Sequence, residues 1–370
     1  MSYKIVISGG GTGGHIYPAI AIADALKAID SAIQILFVGA EGKMEMEKIP
    51  RAGYDIIGLP ISGFQRKFTY KNLLFPIRLL RSMMKARQIV NTFDPILAIG
   101  VGGYASGPLL RAAASKGRKT VIQEQNSYPG ITNKILSRSA DKICVAYDGM
   151  ERFFPAEKIV LTGNPVRNDI RDLTNKRNLA CANFGLAPEK KTILLIGGSL
   201  GARTLNRSMM LALSAIEEAQ DIQWLWQCGK IYYDEYKDSQ IAKLSNVKLL
   251  PFIEKMDEAY AVGDLVISRA GALSISEICV AAKASILVPS PNVAEDHQTK
   301  NAQALVIHQA TRLIIDSDAP DQLVISAIAL VREEQSLKSL GDNAGKIGRP
   351  DAARDIANVV ISILNNSKAA

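Results

Sequence analysis

Residues 4–15 are Lys-Ile-Val-Ile-Ser-Gly-Gly-Gly-Thr-Gly-Gly-His, and residues 192–203 are Thr-Ile-Leu-Leu-Ile-Gly-Gly-Ser-Leu-Gly-Ala-Arg. In each stretch a short apolar run leads into a glycine-rich turn and then toward a helix. Two more such turns, at 100–107 and 268–277, follow apolar runs, so each half of the chain has two. A glycine turn between a strand and a helix exposes backbone amides at the positive end of the helix dipole. This arrangement is suited to binding an anionic oxygen.

Apolar runs of strand length alternate with helical patterns along the whole chain. Parallel strands need a crossover about as long as a helix, so this alternation predicts parallel sheets covered on both faces. We therefore expect an α/β protein with two doubly wound, Rossmann-like domains whose glycine-rich turns face each other across a cleft. The predicted strands are 4–8, 33–38, 96–100, 119–123, 142–146, 159–162, 192–196, 223–228, 247–250, 264–268, 285–289 and 312–315.

The domain boundary is predicted in the stretch Thr-Gly-Asn-Pro-Val-Arg at 162–167, where a strand ends and proline prevents its continuation. Domains of 1–163 and 164–350 are of ordinary size for a chain of 370 residues. A last helix at 351–364 follows a turn-prone stretch and is a candidate to cross back to the first domain.

The composition is that of a soluble globular protein, with 48% hydrophobic and 22% charged residues. No apolar run approaches the ~18–20 residues that span a bilayer, and we expect no export signal. The four cysteines and three histidines lack metal-ligand spacing, so we expect buried, reduced thiols. No Asp-X-Asp element stands in a donor-site context, so we expect no obligatory protein-bound metal.

The net charge of +8 is concentrated in the first domain. Residues 1–163 contain 21 Lys and Arg against 12 Asp and Glu, whereas residues 164–370 contain 23 against 24. The first domain is therefore expected to face an anionic partner. A basic stripe with interleaved aromatic residues and nucleic-acid-binding motifs are both missing, so a phospholipid surface or an anionic lipid substrate fits better than nucleic acid.

The segment 71–87 has the pattern of an amphipathic helix. Such a helix can lie in a membrane interface, and the alternative is an ordinary surface helix packed on the sheet. One helical face is apolar and another is cationic: Leu73, Ile77, Leu80 and Met84 on the first, and Lys71, Arg78 and Lys85 on the second.

The first turn also matches a dinucleotide-binding pattern. Gly9, Gly11 and Gly14 have the required spacing, and Glu41 follows the second predicted strand. This pattern keeps a nicotinamide-dependent oxidoreductase as an alternative, although that reading leaves the other three turns unexplained.

His15 stands where the first helix begins. The helix dipole disfavours a cationic imidazole there, so we expect a lowered pKa and a neutral ring able to take a proton from a hydroxyl nucleophile. In the alternative interpretation, His15 only hydrogen-bonds loop backbone or a phosphate oxygen.

The turns of the second half suggest a nucleotide site. Ser199, Arg203 and Arg167 together offer a hydroxyl and guanidinium groups for a pyrophosphate. Glu277, near the start of a helix, could accept both hydroxyls of a ribose, and the alternative is a helix cap. Asp296 is expected to be an N-cap rather than an acid catalyst.

Seven motifs together resemble the MurG family of glycosyltransferases over nearly the whole chain. This family moves N-acetylglucosamine from UDP to a lipid-linked muramyl-pentapeptide during peptidoglycan synthesis, on the cytoplasmic face of the cell membrane. The motifs are Gly-Gly-Thr-Gly-Gly-His (10–15), Gly-Gly-Tyr (102–104), Gln-Glu-Gln-Asn (123–126), Gly-Asn-Pro-Val-Arg (163–167), Gly-Gly-Ser-Leu-Gly-Ala-Arg (197–203), Ser-Arg-Ala-Gly-Ala-Leu (268–273) with Glu277, and Glu-Asp-His-Gln (295–298).

The resemblance implies a GT-B fold, inversion at the anomeric carbon, His15 as the best candidate for the base, and no cofactor. It implies that the donor site takes residues from both domains: Thr12, Gly13 and Gly14 lining it, Asn126 and Gln298 on the sugar, Arg167 and Ser199 on the diphosphate, Ile253 on the uracil, and Ala272, Leu273, Ser274, Ile275, Ser276 and Glu277 on the phosphates and ribose. A non-catalytic sugar-nucleotide-binding subunit remains a further alternative.

Overall fold

The chain divides into two compact units, and the last helix belongs to the first of them. One unit is Met1–Val166 with Asp351–Ala370, and the other is Arg167–Pro350. The division lies shortly after the predicted boundary at residue 163. The structure, a computed structural model, describes residues 3–61, 75–198, 200–293 and 296–369.

The first unit contains a parallel sheet that, within the described residues, has seven strands in the order β3-β2-β1-β4-β5-β6-β7. Its central strands β1, β4 and β5 are buried along nearly their whole length because helices cover both faces. The strands are β1 Lys4–Ser8, β2 Gln34–Ala40, β3 Asp55–Leu59, β4 Leu97–Gly100, β5 Lys119–Glu124, β6 Lys142–Val145 and β7 Ile159–Leu161.

The second unit repeats this plan with a parallel sheet ordered β10-β9-β8-β11-β12-β13, counted over the part of the chain that is described. Its strands are β8 Lys191–Ile196, β9 Ile222–Gln227, β10 Val247–Leu250, β11 Leu265–Ser268, β12 Ala284–Leu287 and β13 Arg312–Leu313.

Helices connect the strands in both units and pack on the sheets. They are α1 Gly13–Ile29, α2 Glu45–Arg51, α3 Phe75–Phe93, α4 Ser106–Ser115, α5 Ile131–Leu136, α6 Arg177–Phe184, α7 Arg203–Leu211, α8 Leu213–Glu218, α9 Tyr233–Tyr236, α10 Met256–Val262, α11 Ala272–Val280, α12 His297–Ile307, α13 Ala319–Arg332, α14 Glu334–Ile347 and α15 Ala352–Ala369.

The doubly wound α/β prediction is confirmed, and all twelve predicted strands are present to within two residues at each end. The additional strand is β3, at the edge of the first sheet. Asp55 and Gly58 interrupt its apolar run, which is why the sequence pattern did not indicate a strand there.

The sheet order brings the four glycine-rich turns together in pairs. In the first unit they follow β1 and β4, which are neighbours, and in the second they follow β8 and β11, also neighbours. In each sheet this pair of strands marks the point where the strand order reverses, the place where α/β proteins bind their ligands. The fold therefore predicts one binding crevice at the carboxyl edge of each sheet.

Two helices bear on the predictions for the first unit. Helix α15 packs on α1 and buries Ile356, Val360 and Leu364 in the core of that unit. Helix α3 covers the second part of the 71–87 segment and buries Ala86 and Ile89. Within the described residues, no helix is both long enough and apolar enough to cross a bilayer.

Candidate functional site

The first glycine-rich turn connects β1 to α1, whose first helical residue is Gly13. The amides of His15 and Ile16 donate to the Thr12 carbonyl, which starts the helix. Gly11 has a φ of +86°, a value that side-chain-bearing residues rarely adopt. Thr12, Gly13 and Gly14 therefore lie at a helix N-terminus at the carboxyl edge of the sheet.

His15 is oriented by the turn that follows β4. Its Nδ1 lies 3.0 Å from the Val101 carbonyl oxygen, and Gln125 Nε2 donates to the same oxygen at 3.2 Å. A carbonyl oxygen only accepts hydrogen bonds, so Nδ1 must carry a proton. In the neutral ring Nε2 is then the basic nitrogen, the form that a general base requires.

Gly102 provides the space for the His15 ring. It has a φ of +105°, and a Cβ there would come within 2.6 Å of the imidazole Nδ1. Gly103 lies equally close to the first turn, because a Cβ there would be 2.4 Å from the Gly10 carbonyl oxygen. These two glycines fix the position of the second turn against the first and against His15.

We expect Gly102→Ala to reduce the free energy of unfolding by about 2–4 kcal/mol and to impair activity, because the backbone strain adds to a clash with His15. Gly117→Ala is the matched control, since Gly117 also has a positive φ of +68° but its Cβ would contact nothing within 4 Å. Chemical unfolding should show a loss of only about 1–2 kcal/mol for the control. Equal losses in the two variants would contradict the steric role of Gly102.

The Gln-Glu-Gln-Asn motif ends β5 and positions Asn126. Glu124 Oε1 accepts bonds from the backbone N of Asn126 at 3.0 Å and from its Nδ2 at 3.3 Å, and Oε2 accepts from Asn133 Nδ2 at 2.7 Å. Burial raises the pKa of Glu124, and these bonds oppose the rise. The sequence interpretation assigned no role to Glu124, which the structure identifies as the support of Asn126.

Two acidic residues lie near the first turn, Glu41 directly after β2 and Glu45 at the start of α2. Glu41 is exposed and forms an ion pair with Lys85 at 2.9 Å. The turn itself is bonded by Glu45, whose Oε2 accepts from Gly11 N at 2.9 Å and whose Oε1 accepts from Ala40 N at 3.0 Å. The carboxylate that bonds the turn is therefore that of Glu45 rather than that of Glu41, the acidic residue of the dinucleotide pattern.

The third turn, after β8, is built on glycines that lie close to β9. A Cβ on Gly201 would be 2.1 Å from the Cys228 carbonyl oxygen, and one on Gly229 would be 2.4 Å from the Gly201 Cα. Gln227 brackets the start of the turn, accepting from Gly197 N at 3.0 Å and donating to the Gly198 carbonyl at 2.9 Å. Ser199 lies outside the described residues, so its predicted role stays a prediction.

Glu277 is the buried carboxylate of the second unit, with 6% of its surface exposed. Tyr260 donates its hydroxyl to Oε2 at 3.2 Å, and Arg167 Nε lies 3.2 Å from Oε1 in an ion pair. Burial raises the pKa of Glu277, and the charge of Arg167 and the Tyr260 bond oppose the rise. Arg167 thus contacts Oε1 and Tyr260 holds Oε2.

The helix-cap alternative for Glu277 is wrong. Gly271 is the N-cap of α11, the helix begins at Ala272, and its first turn contains no acidic residue. Glu277 instead contacts Tyr260 and Arg167. The fold therefore brings together two residues that the sequence assigned to the donor, Arg167 and Glu277. Asp296 occupies the N-cap position of α12, as predicted, but among the described residues its side chain makes no capping hydrogen bond to the helix backbone and accepts instead from Thr299 Oγ1 at 2.6 Å.

The remaining predicted donor residues differ in how deeply their side chains are buried. Ala272, Leu273, Ser274 and Ser276 are partly buried at the start of α11, whereas the Ile275 side chain is in the core. Ile253 is also buried, in the loop after β10. Gln298 Oε1 accepts from Ser290 N at 2.8 Å. At Ile275 and Ile253 the backbone is therefore the better ligand.

Two arginines have contacts that the sequence did not indicate. Arg269 donates to the carbonyls of Val288 and Pro289 and pairs with Asp316, which also accepts from Thr204. It thus ties the fourth turn to α7 and to the strand edge. Arg203, predicted beside a pyrophosphate, places its guanidinium 5.9 Å from the centre of the Tyr232 ring.

The four cysteines are buried and free. Burial raises the pKa of the Cys144 and Cys279 thiols to about 12 and that of Cys228 to about 11, so these groups are inert. The described residues contain no group of three or more His, Cys, Asp or Glu placed to hold a metal ion.

Comparisons with known proteins agree with this architecture. Residues 5–145 match the glycosyltransferase family 28 N-terminal domain and residues 192–356 match its C-terminal domain. The chain is 54% identical over 362 residues to a Bacteroides thetaiotaomicron protein named UDP-N-acetylglucosamine–N-acetylmuramyl-(pentapeptide) pyrophosphoryl-undecaprenol N-acetylglucosamine transferase, covering 97% of each chain. A Cytophaga hutchinsonii protein of the same name is 53% identical, over 99% of this chain and 98% of its own.

A solved structure supports the same family. The crystal structure of Acinetobacter baumannii MurG aligns with a TM-score of 0.76 and 27% identity over 98% of this chain and 100% of its own. Two Rossmann-like units with parallel sheets, together with this likeness, make the fold GT-B. The chain is therefore an enzyme of glycosyltransferase family 28 and belongs to its MurG family.

Proposed function

We propose that the protein transfers N-acetylglucosamine from UDP-N-acetylglucosamine to the 4-hydroxyl of undecaprenyl-pyrophosphoryl-N-acetylmuramyl-pentapeptide. The observation that carries the proposal is the agreement with relatives of that name over 97% or more of both chains. The predicted residues on described segments also lie at the carboxyl edges of the two sheets or on the helices that begin there.

At the acceptor, His15 serves as the general base. Its Nδ1–H is engaged by Val101, so Nε2 takes the proton of the 4-hydroxyl as that oxygen attacks the anomeric carbon of the donor. The new glycosidic bond forms as the bond from carbon to the UDP oxygen breaks. This direct displacement inverts the anomeric centre and forms no covalent enzyme intermediate.

At the donor, the second unit receives the nucleotide. In this proposal Glu277 accepts the ribose hydroxyls, the Ile253 backbone binds the uracil, and Gln298 and Asn126 hold the sugar. The leaving diphosphate gains negative charge during the reaction, so Arg167, Ser199 and the start of α11 stabilise the transition state as well as the bound donor.

One assay distinguishes the proposed transferase from a non-catalytic sugar-nucleotide-binding subunit and from a nicotinamide-dependent oxidoreductase. Purified protein is incubated with UDP-N-acetylglucosamine and a short-chain analogue of the lipid acceptor, and UDP release is followed. We expect release that depends on the acceptor. Donor binding without release would favour the non-catalytic subunit, and an oxidoreductase would change nicotinamide absorbance instead.

We also propose that the first unit binds the cytoplasmic face of the cell membrane as a peripheral protein. Ile77, Leu80 and Met84 of α3 are 56%, 62% and 63% exposed, and Leu73 lies outside the described residues. Basic residues of the same helix flank this apolar face, among them Arg78 and Lys85. Apolar insertion and attraction to anionic lipids would then act together.

We expect Leu80→Glu with Met84→Glu to release the protein from anionic liposomes while preserving the affinity for UDP. Each nearby Lys or Arg contributes about 1 kcal/mol to membrane binding, so the binding of the parent should also weaken with salt. The matched control is Ile307→Glu with Ile325→Glu, which alters exposed apolar residues of the second unit. Co-sedimentation of the α3 variant at the level of the parent would place the membrane face elsewhere.

A further inference from the structure

The carbonyl group that orients His15 belongs to a peptide at the start of a glycine turn. Val101 supplies this carbonyl, and the next two residues, Gly102 and Gly103, have φ values of +105° and +89°. Glycine adopts positive and negative φ about equally well, so Gly102 opposes a rotation of the Val101–Gly102 peptide less than any other residue would. Such a rotation would turn the N–H of Gly102 toward the His15 ring in place of the carbonyl oxygen.

The two orientations of this peptide favour opposite tautomers of His15. With the carbonyl oxygen toward the ring, Nδ1 donates across 3.0 Å and Nε2 is the basic nitrogen. With the N–H toward the ring, Nδ1 would accept and the proton would move to Nε2. A protonated Nε2 in the neutral ring takes no proton from a hydroxyl, so the orientation of one peptide decides whether His15 can act as a base there.

The peptide groups on either side of this one have their own hydrogen bonds. The backbone N of Val101 donates to the Ser8 carbonyl at 2.7 Å, and Ser106 Oγ donates to the Gly102 carbonyl at 2.8 Å. Neither bond involves the Val101 carbonyl oxygen. Besides His15 itself, the group that donates to this oxygen is the side-chain amide of Gln125, at 3.2 Å.

Gln125 is held firmly enough to fix that oxygen. It follows β5 directly and is 4% exposed. Its backbone carbonyl accepts from Asn164 Nδ2 at 3.0 Å, and Asn164 Oδ1 accepts from Gln123 Nε2 at 2.8 Å.

The position of the Gln125 amide also determines which of its ends faces Val101. A Cβ on Gly14 would lie 3.9 Å from Gln125 Oε1, so the amide oxygen is directed to the positive end of α1. The amide NH₂ then faces the Val101 oxygen. The reverse orientation would place two acceptors against each other.

We propose that Gln125 is a positioning residue, which holds the Val101–Gly102 peptide with its carbonyl oxygen toward His15 and so keeps the ring proton on Nδ1. This inference rests on the proposed function, in which Nε2 takes the proton of the acceptor hydroxyl. A carbonyl oxygen has two lone pairs, so Gln125 and His15 can bond it together. Gln125 thus keeps the peptide in place while the ring gains and loses a proton at Nε2.

The test determines the tautomer of His15 by nitrogen NMR of the imidazole rings in isotope-labelled protein. The chain has three histidines, and His15→Asn identifies the signals of His15. We expect the proton on Nδ1 in the parent. In Gln125→Met, which has a side chain of similar length and no donor, we expect much of the population to carry it on Nε2, because the peptide can then rotate.

Gln223→Met is the matched control for this measurement. Gln223 is also 4% exposed and donates its Nε2 to a backbone carbonyl, that of Ala187 at 2.7 Å, but it belongs to the second unit. We expect this variant to be less stable than the parent and to keep the His15 proton on Nδ1. A role of Gln125 in packing alone would produce the same result in Gln125→Met.

The kinetic readout separates positioning of the base from substrate binding. The kcat of Gln125→Met should fall about tenfold or more, while the Kd for UDP and the acceptor KM stay close to those of the parent. Gln125→Asn should behave in the same way, because its amide is one methylene too short to reach the Val101 oxygen. Thermal melting shows which variants are folded, and either of the two decides the question if the other does not fold.

Three results would overturn the proposal. They are a proton on Nε2 in the parent, an unchanged tautomer in the folded Gln125 variants, and a changed tautomer with an unchanged kcat. The NMR measurement requires no turnover, so it also separates this inference from the proposed function. A parent that transfers no sugar but shows the contrast between Gln125→Met and Gln223→Met would refute the function and leave the role of Gln125 standing, and an active parent without the contrast would do the reverse.

Discussion

His15→Ala is expected to lower kcat by about 10²- to 10⁴-fold while leaving the Kd for UDP nearly unchanged. The Val101 carbonyl holds the Nδ1–H of His15, so the variant loses the basic Nε2 that we propose as the acceptor of the hydroxyl proton. Single-turnover kinetics with saturating donor would measure the loss in the chemical step itself.

Two further variants separate the base from a structural role. His15→Asn keeps a side-chain N–H able to reach Val101 but supplies no base, so its kcat should fall nearly as far as that of His15→Ala. His308→Ala removes an exposed histidine at the end of α12 and should leave kcat unchanged. Normal turnover with only a raised acceptor KM in His15→Ala would mean that His15 binds substrate rather than taking its proton.

Glu277→Ala is expected to weaken UDP binding by about ten- to a hundredfold, which corresponds to ~1.5–3 kcal/mol. In the proposed donor site this buried carboxylate accepts the ribose hydroxyls, and it holds Arg167 in an ion pair. Its removal would leave the ribose hydroxyls without this proposed acceptor and would release the guanidinium that we propose for the diphosphate. Calorimetry with UDP on the folded variant measures the loss.

Asp264→Ala provides the matched control for this experiment. Asp264 also pairs with an arginine in the second unit, with Oδ2 lying 3.1 Å from Arg177 Nη2, but it precedes β11 and so lies at the opposite edge of the sheet from the turns. We expect lower stability and an unchanged Kd for UDP. An unaltered Kd in Glu277→Ala as well would remove Glu277 from the donor site.

The sequence was sufficient to predict the two sheets because their central strands are buried on both faces and contain short apolar runs, such as residues 5–7 and 193–196. It missed β3, an edge strand whose run is broken by Asp55 and Gly58. It also indicated the glycine-rich turns, since a turn that approaches another backbone excludes side chains, as Gly103 shows against Gly10.

The supports of the site could not be read from the sequence, because they act over long distances along the chain. Glu45 reaches Gly11, Gln227 reaches Gly197, and Tyr260 reaches Glu277, and none of these contacts has a local pattern. The motif residues carried the family resemblance, while the residues that hold them carried none. Glu124 stood within a motif, but only the folded chain revealed its bonds to Asn126 and Asn133.

The most direct test of the proposed reaction is the structure of its product. The protein is incubated with UDP-N-acetylglucosamine and the short-chain lipid-linked muramyl-pentapeptide, and the product is analysed by mass spectrometry and by NMR of the new glycosidic linkage. We predict a disaccharide joined through the 4-hydroxyl of the muramyl sugar, with the anomeric configuration inverted relative to the donor. A product with the retained configuration, or donor consumption that yields only free N-acetylglucosamine, would contradict direct attack by that hydroxyl.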